Sequence, residues 1–420
     1  MIKFSQFVET FQRGIKNASF VGLGTFISQI IGFFGLIFIA RLLGPKDFGV
    51  YATVLAFVSF FYLFTLGGMQ KIVVREGSKD IGSFSQILDR TIGLKLIFVI
   101  AAALLCIGIC FFTNYPPFTK VLVIIFSTEV IYFGLDSFLA AIYQTAEKMQ
   151  FIAIFQVLVR VSVTGLSVLV LMLGAGVLEI LLVNLFSKFF ILVLNYFWSK
   201  KFHPFHINWR IHFDPNIVKA TIIFSLMGFI NMIAVKIDVL MVSFLSTSTD
   251  VGIYSVAHEI GREGLILRNI LAMAFFPIAV KFFMSEKVKI KTILSFSLAL
   301  WILIFLGCIF MFFVAEDLIV FLFKSDYSQS GHILRYLVFY LPFAFSSLPF
   351  TISLQATHNE KTVLYVMCLA AGANIPLNLV FFSLFGLVGI AYSTVAVFFL
   401  SAVAYPLLAI KKLKKDAYLI

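Results

Sequence analysis

Asp47-Phe48-Gly49-Val50-Tyr51 reads D-F-G-V-Y, and Asp250-Val251-Gly252-Ile253-Tyr254 reads D-V-G-I-Y, 203 positions later. Each copy lies between two long apolar runs. A second echo follows further along each half. Gln144 to Lys148 reads Q-T-A-E-K, and Gln355 to Lys361 reads Q-A-T-H-N-E-K, at an offset of 211 to 213. Two echoes at nearly one offset mark a chain built as two copies of one module.

The apolar runs decide the solvent. The chain is 61% hydrophobic and 12% charged, with 53 Phe and a mean hydropathy of +1.05. Soluble domains run about 45–50% apolar and about 25% charged, so the bilayer is the solvent that fits. A span needs roughly 20 apolar residues. Twelve stretches qualify: 18–40, 48–70, 91–112, 119–143, 151–173, 177–198, 217–244, 251–280, 292–314, 331–355, 362–384 and 386–410. They are far longer than barrel strands of about ten alternating residues, which makes them helices. The expected fold is an all-α polytopic membrane protein.

The polar stretch 199–216, flanked by Trp198 and Trp209, divides the spans six and six. Six is even, so both halves enter from one side, as parallel repeats do. The expected organisation is an amphipathic segment over 1–17, an N-terminal lobe over 18–198, a linker over 199–216, a C-terminal lobe over 217–410 and a basic tail over 411–420, with a central cavity between the lobes. In 1–17 the apolar residues Phe4, Phe7, Val8, Phe11 and Ile15 recur at helical spacing, which suits a helix lying on a membrane surface.

The formal net charge is +12, and its distribution separates orientation from nucleic-acid binding. Of 32 Lys and Arg, 21 lie in the termini and the even-numbered loops and their borders, four in the odd-numbered loops and seven inside spans. This is the positive-inside pattern. Both termini and the even loops are expected in the cytoplasm, and the D-x-G-x-Y loops outside, with the basic excess facing anionic lipid headgroups. No nucleic-acid partner is implied. Cys106, Cys110, Cys308 and Cys368 lack metal or redox spacing, no metal site or cofactor is expected, and the phosphate loop of an ATPase is absent.

Over Ala40 to Tyr51 the chain reads A-R-L-L-G-P-K-D-F-G-V-Y. This resembles the signature of the polysaccharide biosynthesis flippases, the Wzx-type exporters of O-antigen and capsule repeat units in the multidrug/oligosaccharidyl-lipid/polysaccharide exporter superfamily. Ala40, Arg41, Leu43, Gly44, Phe48, Gly49 and Tyr51 carry the resemblance. It continues through Leu66-Gly67 and Arg75 and returns at Gly252, Tyr254 and Phe276-Pro277. The resemblance implies a transporter, not an enzyme, in a bacterial or archaeal cytoplasmic membrane. It would move oligosaccharide repeat units on a polyprenyl diphosphate from the inner to the outer leaflet by alternating access, alongside a polymerase and glycosyltransferases of the same pathway. Many relatives carry an acid just before the Leu-Gly pair, where this chain has Thr65, and that removes one candidate cation site.

Charges inside spans cost about 2.5–3.5 kcal/mol each near the bilayer centre, so they need partners or a wet cavity. Arg160, Lys188, Lys236, Arg262 and Arg268 are the candidate cationic cavity for the diphosphate, since guanidinium forks match phosphate oxygens. Glu129, Asp136, Asp238, Glu259 and Glu263 are candidate coupling or ion-pair acids. Glu259 and Arg262 could pair on one helix at i, i+3, and Glu129 or Asp136 could pair with Arg160 or Lys188. His258, Glu259, Arg262 and Asn269 form a polar stripe that should turn away from lipid. Lys95 and Arg335 lie near span ends and should snorkel.

Arg41, Gly44, Gly49, Tyr51, Gly252 and Tyr254 read as fold determinants. Gly44-Pro45 and Gly49 would turn a tight outer hairpin, and the tyrosines would anchor at the interface. Whether protons, sodium or membrane potential drives transport stays open. Two alternatives also stand: a cation-coupled multidrug antiporter of the same superfamily, and a membrane polysaccharide polymerase or ligase, although the longest expected outer loop, at 315–330, holds Glu316, Asp317, Lys324 and Asp326 and no catalytic constellation.

Overall fold

The computed structural model describes residues 4–79, 84–203, 215–285 and 290–415. Among these the chain is helical throughout, with no strand: α1 (Phe4–Ser59), a 3-10 turn (Phe60–Thr65), α2 (Met69–Lys79), α3 (Phe84–Phe111), α4 (Pro117–Phe126), α5 (Glu129–Thr145), α6 (Gln150–Met172), α7 (Val177–Ser199), α8 (Pro215–Leu245), α9 (Ser248–Ser285), α10 (Ile290–Phe323), a 3-10 turn (Ser325–Tyr327), α11 (Ser328–Leu337), α12 (Tyr340–Ser346), α13 (Leu348–Ala356), α14 (Glu360–Phe385) and α15 (Leu387–Lys415). In lipid no water is available to satisfy stray backbone groups, so intrahelical bonds are the answer for such apolar runs.

Nine helical stretches among the described residues are long and apolar enough to cross a membrane. The first, Ser19–Thr65, is 47 residues long and covers two expected spans. It bends at Gly44, whose φ of 73° and ψ of 170° leave helical space. Pro45 then opens the second segment with its φ preset. Counting that stretch twice and adding α8 and α9 gives twelve. Glu259, Arg262, Glu263 and Arg268 lie along α9.

The chain forms two compact units. The first comprises Met1–Leu43 and Val54–Phe229, the second Gly44–Thr53 and Ile230–Ile420. The first unit has its core where α2, α3 and α5 meet, around Met69, Val73, Phe84, Leu88, Phe138 and Ile142. The second has two clusters: Phe350, Leu354, Val366 and Ala409 in one, and Leu300, Phe345, Leu348 and Ile352 in the other. The outer faces of α3, α6, α7, α10 and α14 expose Leu, Ile, Val and Phe in long rows, as lipid-facing helices must.

Three expectations are corrected. The outer loop expected at 315–330 is largely helix. α10 runs to Phe323 because Ala315, Ile319 and Phe323 continue its buried face at 0% exposure, and Lys324 turns the chain with a positive φ. Gly49 belongs to a helix instead of a hairpin; only Gly44-Pro45 makes the turn. Lys95 does not snorkel. It is 1% exposed, and its ammonium donates to the carbonyls of Thr65 at 2.6 Å and Leu66 at 3.3 Å. Leu66 has left helical space (φ 53°, ψ 50°), which frees those carbonyls for Lys95.

α1 begins at Phe4, but the side chains behind the amphipathic reading of 1–17 lie outside the described residues, as do most of the expected linker 199–216 and the end of the tail 411–420.

Candidate functional site

The two motif copies meet inside the second unit. A methyl group on Gly49 would collide with the Ser248 carbonyl and crowd the Gly252 amide, and one on Gly252 would collide with the Pro45 carbonyl. The two helices cross there with backbone against backbone, which only glycine allows. Phe48 packs its ring edge on Tyr327 at 6.4 Å. Tyr254 is fully buried and lies over His258 at 5.9 Å. Tyr51 is partly exposed, its ring 6.2 Å from Phe48.

In the first unit, Lys188 of α7 forms an ion pair with Glu129, the first residue of α5. Both are largely buried, at 15% and 7% side-chain exposure, and the ammonium sits 5.7 Å from the rings of Phe126 and Tyr132. Asp136, two turns on, meets neither Lys188 nor Arg160 in an ion pair. It accepts from the Asn195 side-chain amide at 3.3 Å, and Asn195 Oδ1 accepts from the Tyr143 hydroxyl at 2.6 Å.

Arg160, in the middle of α6, is exposed. Its Nε donates to the Ser28 carbonyl at 3.1 Å, and Gly32 leaves the space that its guanidinium fills against α1.

In the second unit, Glu259 holds two cations, Lys236 of α8 at 2.9 Å and Arg262 one turn along α9. Arg268 donates its Nε to the Ala344 carbonyl at 2.8 Å. Both oxygens of Asp238 are engaged: the Asn378 amide donates to one at 2.8 Å and the Thr394 hydroxyl to the other at 2.9 Å. Asn378 also donates to Asn374 at 2.6 Å and accepts from Ser393. Arg335 reaches Glu316 at 2.9 Å, and Glu263 acts electrostatically on Arg262.

The five candidate cations thus fall into two kinds. Lys188, Lys236 and Arg262 are matched by carboxylates. Arg160 and Arg268 are fastened through Nε to backbone carbonyls, which leaves their Nη groups as forks. Sequence reasoning missed Lys95 and the Asn374–Asn378–Thr394 group around Asp238. The four cysteines are free. Among the described residues no group of three or more His, Cys, Asp and Glu side chains could hold a metal.

Among the described residues the chain is two compact helical units with charged side chains set along apolar helices long enough to cross a membrane. The structure resembles "Lipid II flippase MurJ, inward closed conformation", with a TM-score of 0.77 and 18% identity over 93% of this chain and 87% of that one. It also resembles an inward-facing multidrug resistance MATE transporter of the MOP superfamily, at 0.73 and 13% over 92% and 95%. A third likeness is to a MOP superfamily transporter from Pyrococcus furiosus, at 0.61 and 14% over 95% of each chain. No curated protein matches the sequence.

The polysaccharide biosynthesis protein family matches residues 15–283, and the MatE family matches 222–380. The chain belongs to the polysaccharide biosynthesis protein family, and its fold is like that of a lipid II flippase and of MOP superfamily transporters.

Proposed function

We propose that this protein moves oligosaccharide repeat units, carried on a polyprenyl diphosphate, from the inner to the outer leaflet of a cytoplasmic membrane by alternating access. The family match over 15–283, which contains the signature at Ala40 to Tyr51, is the observation that carries the reading. The cations give it a chemical basis. Among the described residues no ion pair ties Arg160 of the first unit or Arg268 of the second to a carboxylate, and Lys236 and Arg262 of the second unit both bond Glu259. A diphosphate brings the negative charge that such a set lacks, and a guanidinium fork binds phosphate oxygens in pairs.

Lys188 joins the set only after release from Glu129. Glu129 and Glu259 serve as ion-pair acids, while Asp136 and Asp238 organise hydrogen-bonded groups and Glu263 adds negative charge beside Arg262. The positive-inside distribution favours both termini in the cytoplasm. Capsule and O-antigen precursors are the substrates the resemblance favours, with a polymerase and glycosyltransferases as pathway partners.

Arg160→Ala and Arg268→Ala, expressed in a strain lacking the native gene, are expected to abolish surface polysaccharide while the protein stays in the membrane at native abundance. Normal polymer display in both variants overturns the assignment of these cations. The multidrug reading rests on the MatE match over 222–380. Purified protein in proteoliposomes separates the two: transfer of a fluorescent undecaprenyl-diphosphate oligosaccharide between leaflets supports the flippase, and uptake of a cationic dye without such transfer supports the antiporter.

A further inference from the structure

We propose that His258 binds a proton that this transporter carries together with its anionic ligand. The side chain sits on α9 in the second unit and is 8% exposed. Among the described residues its Nδ1 has no hydrogen-bond partner. A buried polar atom without a partner costs about 1–3 kcal/mol, so its persistence under the influence of Lys236, Asp238, Glu259 and Arg262 calls for a role.

The surroundings say which role. Four charges act on the ring: Glu259 and Arg262 from its own helix, and Lys236 and Asp238 from α8. Two are positive and two negative, so the set is balanced around a neutral imidazole. Tyr254 covers one face of the ring, and one turn beyond it the Tyr340 hydroxyl of α12 donates to the Gly261 carbonyl at 2.8 Å.

The neighbouring acids are poor places for a mobile proton. Asp238 has both oxygens bonded, to Asn378 and Thr394, and Glu259 has both bonded, to Lys236 and Arg262. Protonating either carboxylate breaks an existing contact. With its hydrogen on Nε2, the imidazole offers an open lone pair at Nδ1, takes up one proton there and breaks nothing. Histidine is also the side chain whose ordinary titration range spans physiological pH.

Proton uptake turns the balanced group into one with a net positive charge beside Lys236 and Arg262. An anionic ligand held by those two cations therefore binds better when the ring is charged, and its departure favours release of the proton. Two ligands that alter each other's affinity in this way are linked, and the linkage is reciprocal. The proton comes from water on one side and returns to water on the other; no other reactant is needed.

This inference rests on the transporter reading, and its direct measurement is independent of the substrate. The first arm uses full-length protein in nanodiscs that retains His258 alone, with His203, His206, His212, His332 and His358 replaced by Gln. Nitrogen NMR of the single imidazole should show conversion between neutral and charged forms from about pH 8 to about pH 5. One unchanging form across that range overturns the proposal.

The second arm uses proteoliposomes and a fluorescent undecaprenyl-diphosphate disaccharide. For one coupled proton, an imposed gradient of one pH unit should shift the outer-to-inner leaflet ratio of the probe about tenfold in the native protein. In His258→Gln and in His258→Arg the gradient should leave that ratio unmoved. A native ratio that ignores the gradient, or variants that keep the native response, overturns the proposal. If the native protein moves no probe at all, the substrate reading fails, and the titration of His258 decides the proton site by itself.

Discussion

The fourth span of each half bends at the same place for different chemical reasons. In the first unit the span is α4 and α5, Pro117–Phe126 and Glu129–Thr145; in the second it is α11, α12 and α13, Ser328–Leu337, Tyr340–Ser346 and Leu348–Ala356. Shifting the first by 211 positions lays 117 on 328, 126 on 337, 129 on 340 and 145 on 356. The loop after each carries one non-glycine residue at positive φ, Glu147 at 55° and His358 at 58°, again 211 apart.

In α4–α5 the bend comes from hydroxyls. Ser127 donates to the Ile124 carbonyl at 2.7 Å and Thr128 to Ile125 at 2.9 Å, a back-bonding that bends helices. In α11–α13 it comes from Pro342, which lacks the amide that would reach the Val338 carbonyl. The Cys308 thiol donates to that carbonyl at 3.2 Å.

The residue after the bend also differs. Glu129 is ion-paired to Lys188, whereas Tyr340 at the matching position donates one neutral hydrogen bond to Gly261. The halves share backbone geometry and differ in charge. The path of the chain belongs to the repeat, while the polar chemistry is particular to each copy.

The largest expected effect tests that asymmetry. Glu129→Leu leaves Lys188 buried without its carboxylate, which should cost about 3–5 kcal/mol. Unfolding in detergent should show it, and the double variant with Lys188→Leu should recover most of the loss. A single variant of native stability would mean that the pair is not sealed from water and that the two halves are electrostatically alike.

Tyr340→Phe removes one hydrogen bond from a carbonyl within α9 and should cost only about 1 kcal/mol by the same measurement. A loss as large as that for Glu129 would erase the contrast. The smallest change is expected from Thr128→Ala, within about 0.5 kcal/mol. Its effect should appear instead as a straighter span, a longer distance between spin labels at Phe118 and Glu147. An unchanged distance would shift the cause of the bend from hydroxyls to packing.

The large-scale plan was readable from the sequence because it rests on local signals. Apolar length gave the spans, a twice-used motif gave the repeat, and Gly44-Pro45 gave the turn between the first two. The polar interior was less readable because its partners are far apart along the chain. Asn378 and Thr394 meet Asp238 across 140 and 156 positions, and neither amide nor hydroxyl announces a carboxylate partner. Glu259 and Arg262 were readable as a pair because helical spacing brings them together, but Lys236 was not part of that pattern. Lys95 looked like a snorkelling side chain near a span end, and only the break at Leu66 supplies the carbonyls that hold it inside. The bend at Ser127 had no proline to mark it.

The crossing of Gly49 and Gly252 has one more consequence. Position 49 presses on the carbonyl of 248 and position 252 on that of 45, and the two pairs are separated by the same 203 residues. Each motif copy receives from the other what it gives. That reciprocity is the hallmark of contacts between identical subunits, here joined covalently in one polypeptide. A half-length ancestor carrying a single copy could have met a sister molecule through this face, so fusion would have preserved an old handshake instead of inventing a new one.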